Sequence, residues 1–160
     1  MGRRLVVNLS DELCERARRA ADEHREWADA TGAHSYFTYR DRTEETRTVT
    51  LAYGAEIAAA VVLGLAWNGP GNFRAGDLAG ALEVRHTPYA HGSLLVRPED
   101  SPARTYVFVT GGPVRYVLCG YLTGAAAMVP RWWWPDAPRR ACWRIPQWAL
   151  SPIDDLLPDG

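Results

Sequence analysis

The chain has 160 residues, 47% of them hydrophobic and 23% charged, with a formal net charge of −1. That length suits one domain with a real core, and the balance excludes both a disordered chain and a uniformly basic nucleic-acid binder, though not a local basic groove. All 18 basic residues are arginine, and the three cysteines, Cys14, Cys119 and Cys142, form neither a disulfide framework nor a CxxC metal site.

His24, His34, His86 and His91 show no paired ligand spacing, which argues against zinc. No run approaches the roughly eighteen apolar residues of a membrane span. The N-terminus turns acidic at Asp11, too early for a signal peptide, so the cytoplasm is the expected compartment.

Ser10 followed by Asp11 and Glu12 is an N-cap with acids placed to suit the helix dipole. With an apolar stripe at Leu13, Ala17, Ala20 and Ala21 and a stop at Thr31-Gly32, it predicts a helix over residues 10–29. From Ala33 to Thr46 the chain is polar and aperiodic; a loop is expected, a possible lid, with Tyr36, Phe37 and Tyr39 as anchors. The Ala-rich run from Arg47 to Ala66 reads as a buried helix, its start drawn toward Leu51 because Thr48-Val49-Thr50-Leu51 favours strand. Asn68-Gly69-Pro70-Gly71-Asn72 breaks it.

Alternating segments follow at Leu82–Thr87, Ser93–Arg97, Thr105–Thr110 and Val114–Tyr121, the last two joined by a Gly111-Gly112-Pro113 turn. Gly124 to Met128 suggests one short helix. Beyond it, prolines at 130, 135, 138, 146 and 152 exclude a long helix and any central strand across those positions. The Trp-rich end is therefore expected to pack on the body as an irregular tail. Together the segments predict a single α+β (mixed α/β) domain over residues 1–160, with its core at 48–125 and the tail at 130–160.

The candidate chemistry lies between residues 56 and 85. Glu56 sits among Ala52, Ala55, Ala59 and Ala60, where a charge is costly without a purpose. Glu83 and Arg85 share one face of their strand, and Asp77 would lie about 20 Å from Glu83 if the chain ran straight. A three-residue loop, Ala79-Gly80-Ala81, would instead pair Leu78 with Leu82 and set Asp77 opposite Glu83. Two carboxylates that close repel unless a cation lies between them, and a hard divalent ion is the natural partner.

Glu56 on a helix, then Asp77, then Glu83-Val84-Arg85 on a strand resembles the PD-(D/E)XK nuclease superfamily, in particular its small phage and actinobacterial members. The resemblance covers residues 50–125. It implies a restriction-endonuclease-like core, a central mixed sheet flanked by helices, and Mg²⁺- or Mn²⁺-dependent hydrolysis of DNA. In that scheme Asp77, Glu83 and Glu56 are the metal ligands, and these three with Arg85 form the catalytic set. Arg85 stands where the family carries lysine; permanently protonated, it can hold a phosphate but not act as a base. Arg74, Arg97 and His86 are candidate DNA contacts, and a homodimer is among the assemblies the resemblance allows.

Plainer readings stand beside these. Glu83 and Arg85 also fit the solvent face of an edge strand, Asp77 an ordinary turn, and Glu56 an exposed helical position. A catalytically inactive nuclease-fold protein that binds nucleic acid or a protein is the alternative function. The Trp132-Trp133-Trp134 run suits either base stacking or the packing of the tail.

Overall fold

The computed structural model describes residues 2–32, 42–70 and 77–159. Strand β1 (Leu5–Asn8) comes first, then helix α1 (Asp11–Thr31). The Ser10 hydroxyl accepts the Leu13 N–H at 3.2 Å and Gly32 closes α1 in the left-handed region, as the capping signals predict. Helix α2 (Arg42–Leu63) starts well before the expected Leu51. The strand preference of Thr48–Leu51 yields to packing along α1, with Ala17, Ala20 and Ala21 buried on the facing helix. Of the loop expected from Ala33 to Thr46, residues 33–41 lie outside the described residues, and the remainder is the first turn of α2.

Strands β2 (Leu82–Thr87), β3 (Leu94–Val96), β4 (Thr105–Gly111) and β5 (Arg115–Thr123) match the alternating segments to within two residues at each end. Short helix α3 (Gly124–Ala127) follows, then β6 (Trp133–Trp134) and β7 (Cys142–Ile145). The main sheet runs β1-β5-β4-β2; β1, β5 and β4 pair antiparallel, and β2 lies parallel to β4 as an edge strand. It is a mixed four-stranded sheet in an α+β fold with three α-helices among the described residues. A second sheet, β3-β7-β6, joins β3 to the Trp-rich end.

Alternation along the central strands builds two cores. Val107, Val109, Tyr116 and Leu118 face the helices, packed against Ile57, Ala58 and Leu63. Tyr106, Phe108 and Cys119 face the other way, onto Leu94, Val96, Ile145 and Leu150. The end of the chain is thus a layer of its own, with β7 seated between Pro138 and Pro146. By length and apolar content α2 could cross a bilayer; here Ala55 and Ile57 to Ala60 are buried in the fold.

One contact locks α2 onto the sheet. The Tyr116 hydroxyl donates to the Leu51 carbonyl at 3.0 Å. A Cβ on Gly54 would lie 2.1 Å from that hydroxyl oxygen and 2.7 Å from Cζ. In an open helix, Gly→Ala gains up to about 1 kcal/mol. Gly54→Ala is expected instead to lose about 1–3 kcal/mol through overpacking, read as a lower urea midpoint at unchanged m-value. Tyr116→Phe in that background is expected to recover part of the loss; a wild-type midpoint for Gly54→Ala would remove this contact from the account.

Candidate functional site

The corner forms where the chain turns back before β2. Leu78 and Leu82 exchange both backbone bonds, N–H to carbonyl, at 3.0 Å each, the pairing that the three-residue loop predicts. Gly80 at φ 73° and Ala79 at φ 50° make the reversal, and Leu78, 1% exposed, anchors it in the helical core. Asp77 is carried alongside β2, where Oδ2 accepts the Val84 N–H at 2.7 Å.

Glu56 reaches the same corner from α2. Its Oε2 accepts the Trp67 indole N–H at 2.9 Å. Tyr53 packs edge-on against Trp67, Arg16 lies 5.2 Å over that indole, and the Tyr53 hydroxyl is 2.8 Å from His24 Nδ1. Burial pushes the Glu56 carboxyl up to about 8; the Asp77 charge and then Glu83 act in the same direction, and the indole bond opposes them. Crowding by protein also raises the Asp77 pKa, and Glu83 adds to it, while the Val84 N–H, Arg85 and Arg104 oppose. Asp77 is exposed by surface area, so water screens much of its share. The burial cost to Tyr53 raises its hydroxyl pKa as well, with Glu56 and Asp77 contributing.

Glu83 and Arg85 project from the other face of β2, away from Leu82 and Val84, which pack with the helices. Both Glu83 oxygens are engaged: Oε2 with Arg85 and Oε1 with Arg104, each at 2.9 Å. Arg85 also pairs with Asp100 at 2.9 Å and lies 5.1 Å over the Tyr106 ring. The result is an ion chain, Arg104–Glu83–Arg85–Asp100, whose side chains are 13–26% exposed. Asp100 and Glu83 together raise the Arg85 pKa against the opposing effect of its burial. Arg85 is a fixed cation.

The remaining expected contacts separate. His86 points to the helical side of β2, opposite Glu83, where Nε2 donates to the Gly111 carbonyl at 2.8 Å and the ring lies 5.8 Å from Tyr116. Burial holds the His86 pKa down. The Arg97 backbone N–H donates to Asp100 Oδ2 at 2.8 Å, which ties its strand end to the ion chain. Arg74 lies outside the described residues.

Trp67, Asp100 and Arg104 complete the corner without having been expected. Asp100 sits in a Pro-Glu-Asp-Ser turn that reads as ordinary surface. Arg104 meets Glu83 only because β2 and β4 run parallel with Glu83 beside Tyr106. Local spacing carries no trace of either. A glutamate buried among alanines does ask for a donor, and Trp67, eleven residues on, was the available signal.

Among the described residues, no three His, Cys, Asp or Glu side chains lie close enough to share one ion. No protein-family model, curated protein or solved structure matches the chain, so the chemistry of the corner rests on this geometry.

The raised Glu56 pKa has a definite sign for stability. A carboxyl at about 8 when folded, against an ordinary 4.5, favours folding below pH 4.5 and loses that contribution as pH rises through 8. In EDTA, Glu56→Gln keeps an acceptor for Trp67 and removes the charge. It is expected to be more stable than wild type by about 1–3 kcal/mol at pH 9, or about 2–10 °C in Tm, and indistinguishable at pH 4. Equal melting temperatures at both pH values would show that Glu56 ionises in open water.

Proposed function

We propose that the chain is a Mg²⁺- or Mn²⁺-dependent deoxyribonuclease built on a restriction-endonuclease-like core. The observation that carries this reading is that Asp77, held against the edge of β2 by the Val84 N–H, lies within electrostatic reach of Glu56 on one side and of Glu83, with Arg85 and Arg104, on the other. DNA as partner, a homodimer as assembly and the cytoplasm as compartment belong to the same proposal.

Two of the three acids offer an oxygen to the ion. Glu56 Oε1 and Asp77 Oδ1 carry no hydrogen bond among the described residues, since the bonds each acid makes use its other oxygen. Mg²⁺ takes hard oxygen donors, retains several waters and is commonly held by one or two carboxylates plus substrate phosphate. Asp77 and Glu83 would hold it with Glu56 assisting. A bound divalent ion supplies positive charge to the scissile phosphate and acidity to water.

The chain's own residues do the positioning. Arg85 and Arg104 present guanidinium groups suited to a phosphodiester's oxygens. A phosphate arriving there competes with Glu83 for the two arginines and frees a Glu83 oxygen. Asp100 keeps Arg85 in line while this happens. Tyr53 and Trp67 wall the corner on the helical side and fix the Glu56 carboxyl.

A second reading, an inactive nuclease-fold protein that binds nucleic acid or a protein, is favoured by one observation: both Glu83 oxygens are already on arginines. Cleavage of plasmid and linear DNA in Mg²⁺ or Mn²⁺ decides between them. Asp77→Asn and Glu83→Gln are each expected to lower the rate by about 100-fold or more. A readout independent of turnover is the melting temperature: at about 100 times its Kd, Mn²⁺ adds about 2.7 kcal/mol to wild type, and little to Asp77→Asn. Salt-sensitive DNA binding without turnover, and with no response to Mn²⁺, would establish the inactive reading.

A further inference from the structure

We infer that the edge of the second sheet binds single-stranded DNA by stacking its bases on exposed rings flanked by arginines. As an assignment of substrate class this rests on the nuclease reading; as a binding site it stands by itself.

The sequence run Trp132-Trp133-Trp134 is split by the fold. Trp132 and Trp143 pack against the second core. Trp133, on edge strand β6, lies 4.8 Å from Trp143 and remains 39% exposed. Trp148 leans edge-on against Trp132 at 5.6 Å, yet is 62% exposed. Tyr89, 74% exposed, lies close by: Gln147 Nε2 donates to the Ala90 and Gly92 carbonyls at 2.8 and 2.9 Å, stapling the Trp148 segment to the Tyr89 loop. Core packing explains Trp132 and Trp143. It does not explain Trp133, open on the β6 edge, or Trp148, open against the neighbouring Trp132, with Tyr89 exposed on the loop that the Trp148 segment staples.

Charge indicates the occupant. Residues 130–150 carry Arg131, Arg139, Arg140 and Arg144 against a single acid, Asp136, in a chain whose net charge is −1; Arg140 is paired with Glu99, and Arg131 and Arg144 lie over tryptophan rings. Arg131 lies 4.3 Å over the Trp132 ring and Arg144 5.0 Å over Trp134, so cations and rings are interleaved. Arginine beside an open aromatic face suits a phosphate backbone with unstacked bases, and every base offers a π-face to such a platform. A duplex hides those faces. The Tyr89 loop leaves β2 six residues after Glu83, within about 20 Å along an extended strand.

The test is fluorescence anisotropy of labelled oligothymidine on the full chain in EDTA, where no cleavage occurs. Trp148→Ala and Trp133→Ala are each expected to weaken binding about 5- to 100-fold, with Trp148→Phe close to wild type. An abasic oligonucleotide of equal length keeps the charge without the rings and is expected to bind at least about fivefold more weakly. Arg131→Gln should reduce the slope of log K against log salt by about 0.7. Circular dichroism checks that each variant is folded; if Trp133→Ala is not, Trp148→Ala decides.

Equal binding of abasic and normal strands, preference for duplex, absence of binding, or wild-type affinity in folded Trp148→Ala would overturn the inference. Cleavage by wild type with unaffected binding in the tryptophan variants would sink this site and leave the nuclease reading intact. Loss of binding in those variants with no cleavage in Mn²⁺ would do the reverse.

Discussion

The reversal at Leu78–Leu82 is the constraint on which the acid corner depends. Without it, Asp77 would lie about 20 Å from Glu83 along an extended chain. Two backbone bonds at 3.0 Å fix the register, and the buried Leu78 side chain keeps the pair from sliding. Ala79 is held at φ 50°, a conformation that costs a non-glycine residue about 1–2 kcal/mol. Burial of Leu78 is of the size needed to offset that. The Val84 N–H then takes the Asp77 carboxylate, so the acid is positioned by backbone on both sides.

The edge position of β2 matters as much as the turn. On an interior strand, Glu83 and a helix-borne acid would lie on opposite faces of the sheet, separated by it. Here Leu82 and Val84 pack with the helices while Glu83 and Arg85 face the second sheet, and Asp77 lies beyond the edge between them. Glu56 on the helical side and Glu83 on the other thus each feel the Asp77 charge at the rim. The two sides are treated differently. Glu83 is neutralised by two arginines, whereas Glu56, among the described residues, is met by the Trp67 indole N–H and no cation, and bears a large desolvation cost. An acid left under-compensated beside a second acid is the electrostatic asymmetry a cation would relieve.

What was legible in the chain was local. Ser10 and Gly32 bound the first helix by capping chemistry, period-two alternation marked β2 to β5, and three small residues at 79–81 were enough to fix a register. What was not legible depended on partners distant in sequence. β1 is four residues long and becomes a strand by pairing with β5, over a hundred positions away. The start of α2 was misplaced because Thr48–Leu51 favours strand in isolation and helix against α1. β6 and β7, of two and four residues, are too short to show a period and sit between prolines. Arg104 and Asp100 joined the site only through the parallel register of β2 on β4 and a turn packed beside it.

The Trp-rich end shows why composition alone could not assign it. The run divides its rings because the chain passes from a 3₁₀ turn at Pro130–Trp132 into the edge strand β6 at Trp133. Trp132 therefore serves the core while Trp133 does not, and Trp143 supports Trp133 from the neighbouring strand. Burying some rings rigidifies the platform on which the others stand; an exposed indole backed by a second indole loses little entropy when a base stacks on it. The prolines that keep β6 and β7 short act in the same way, by limiting how far the segment can relax once its inward rings are seated. The same residues can thus complete the hydrophobic interior and hold a rigid aromatic edge toward solvent, with the second requirement met by the first.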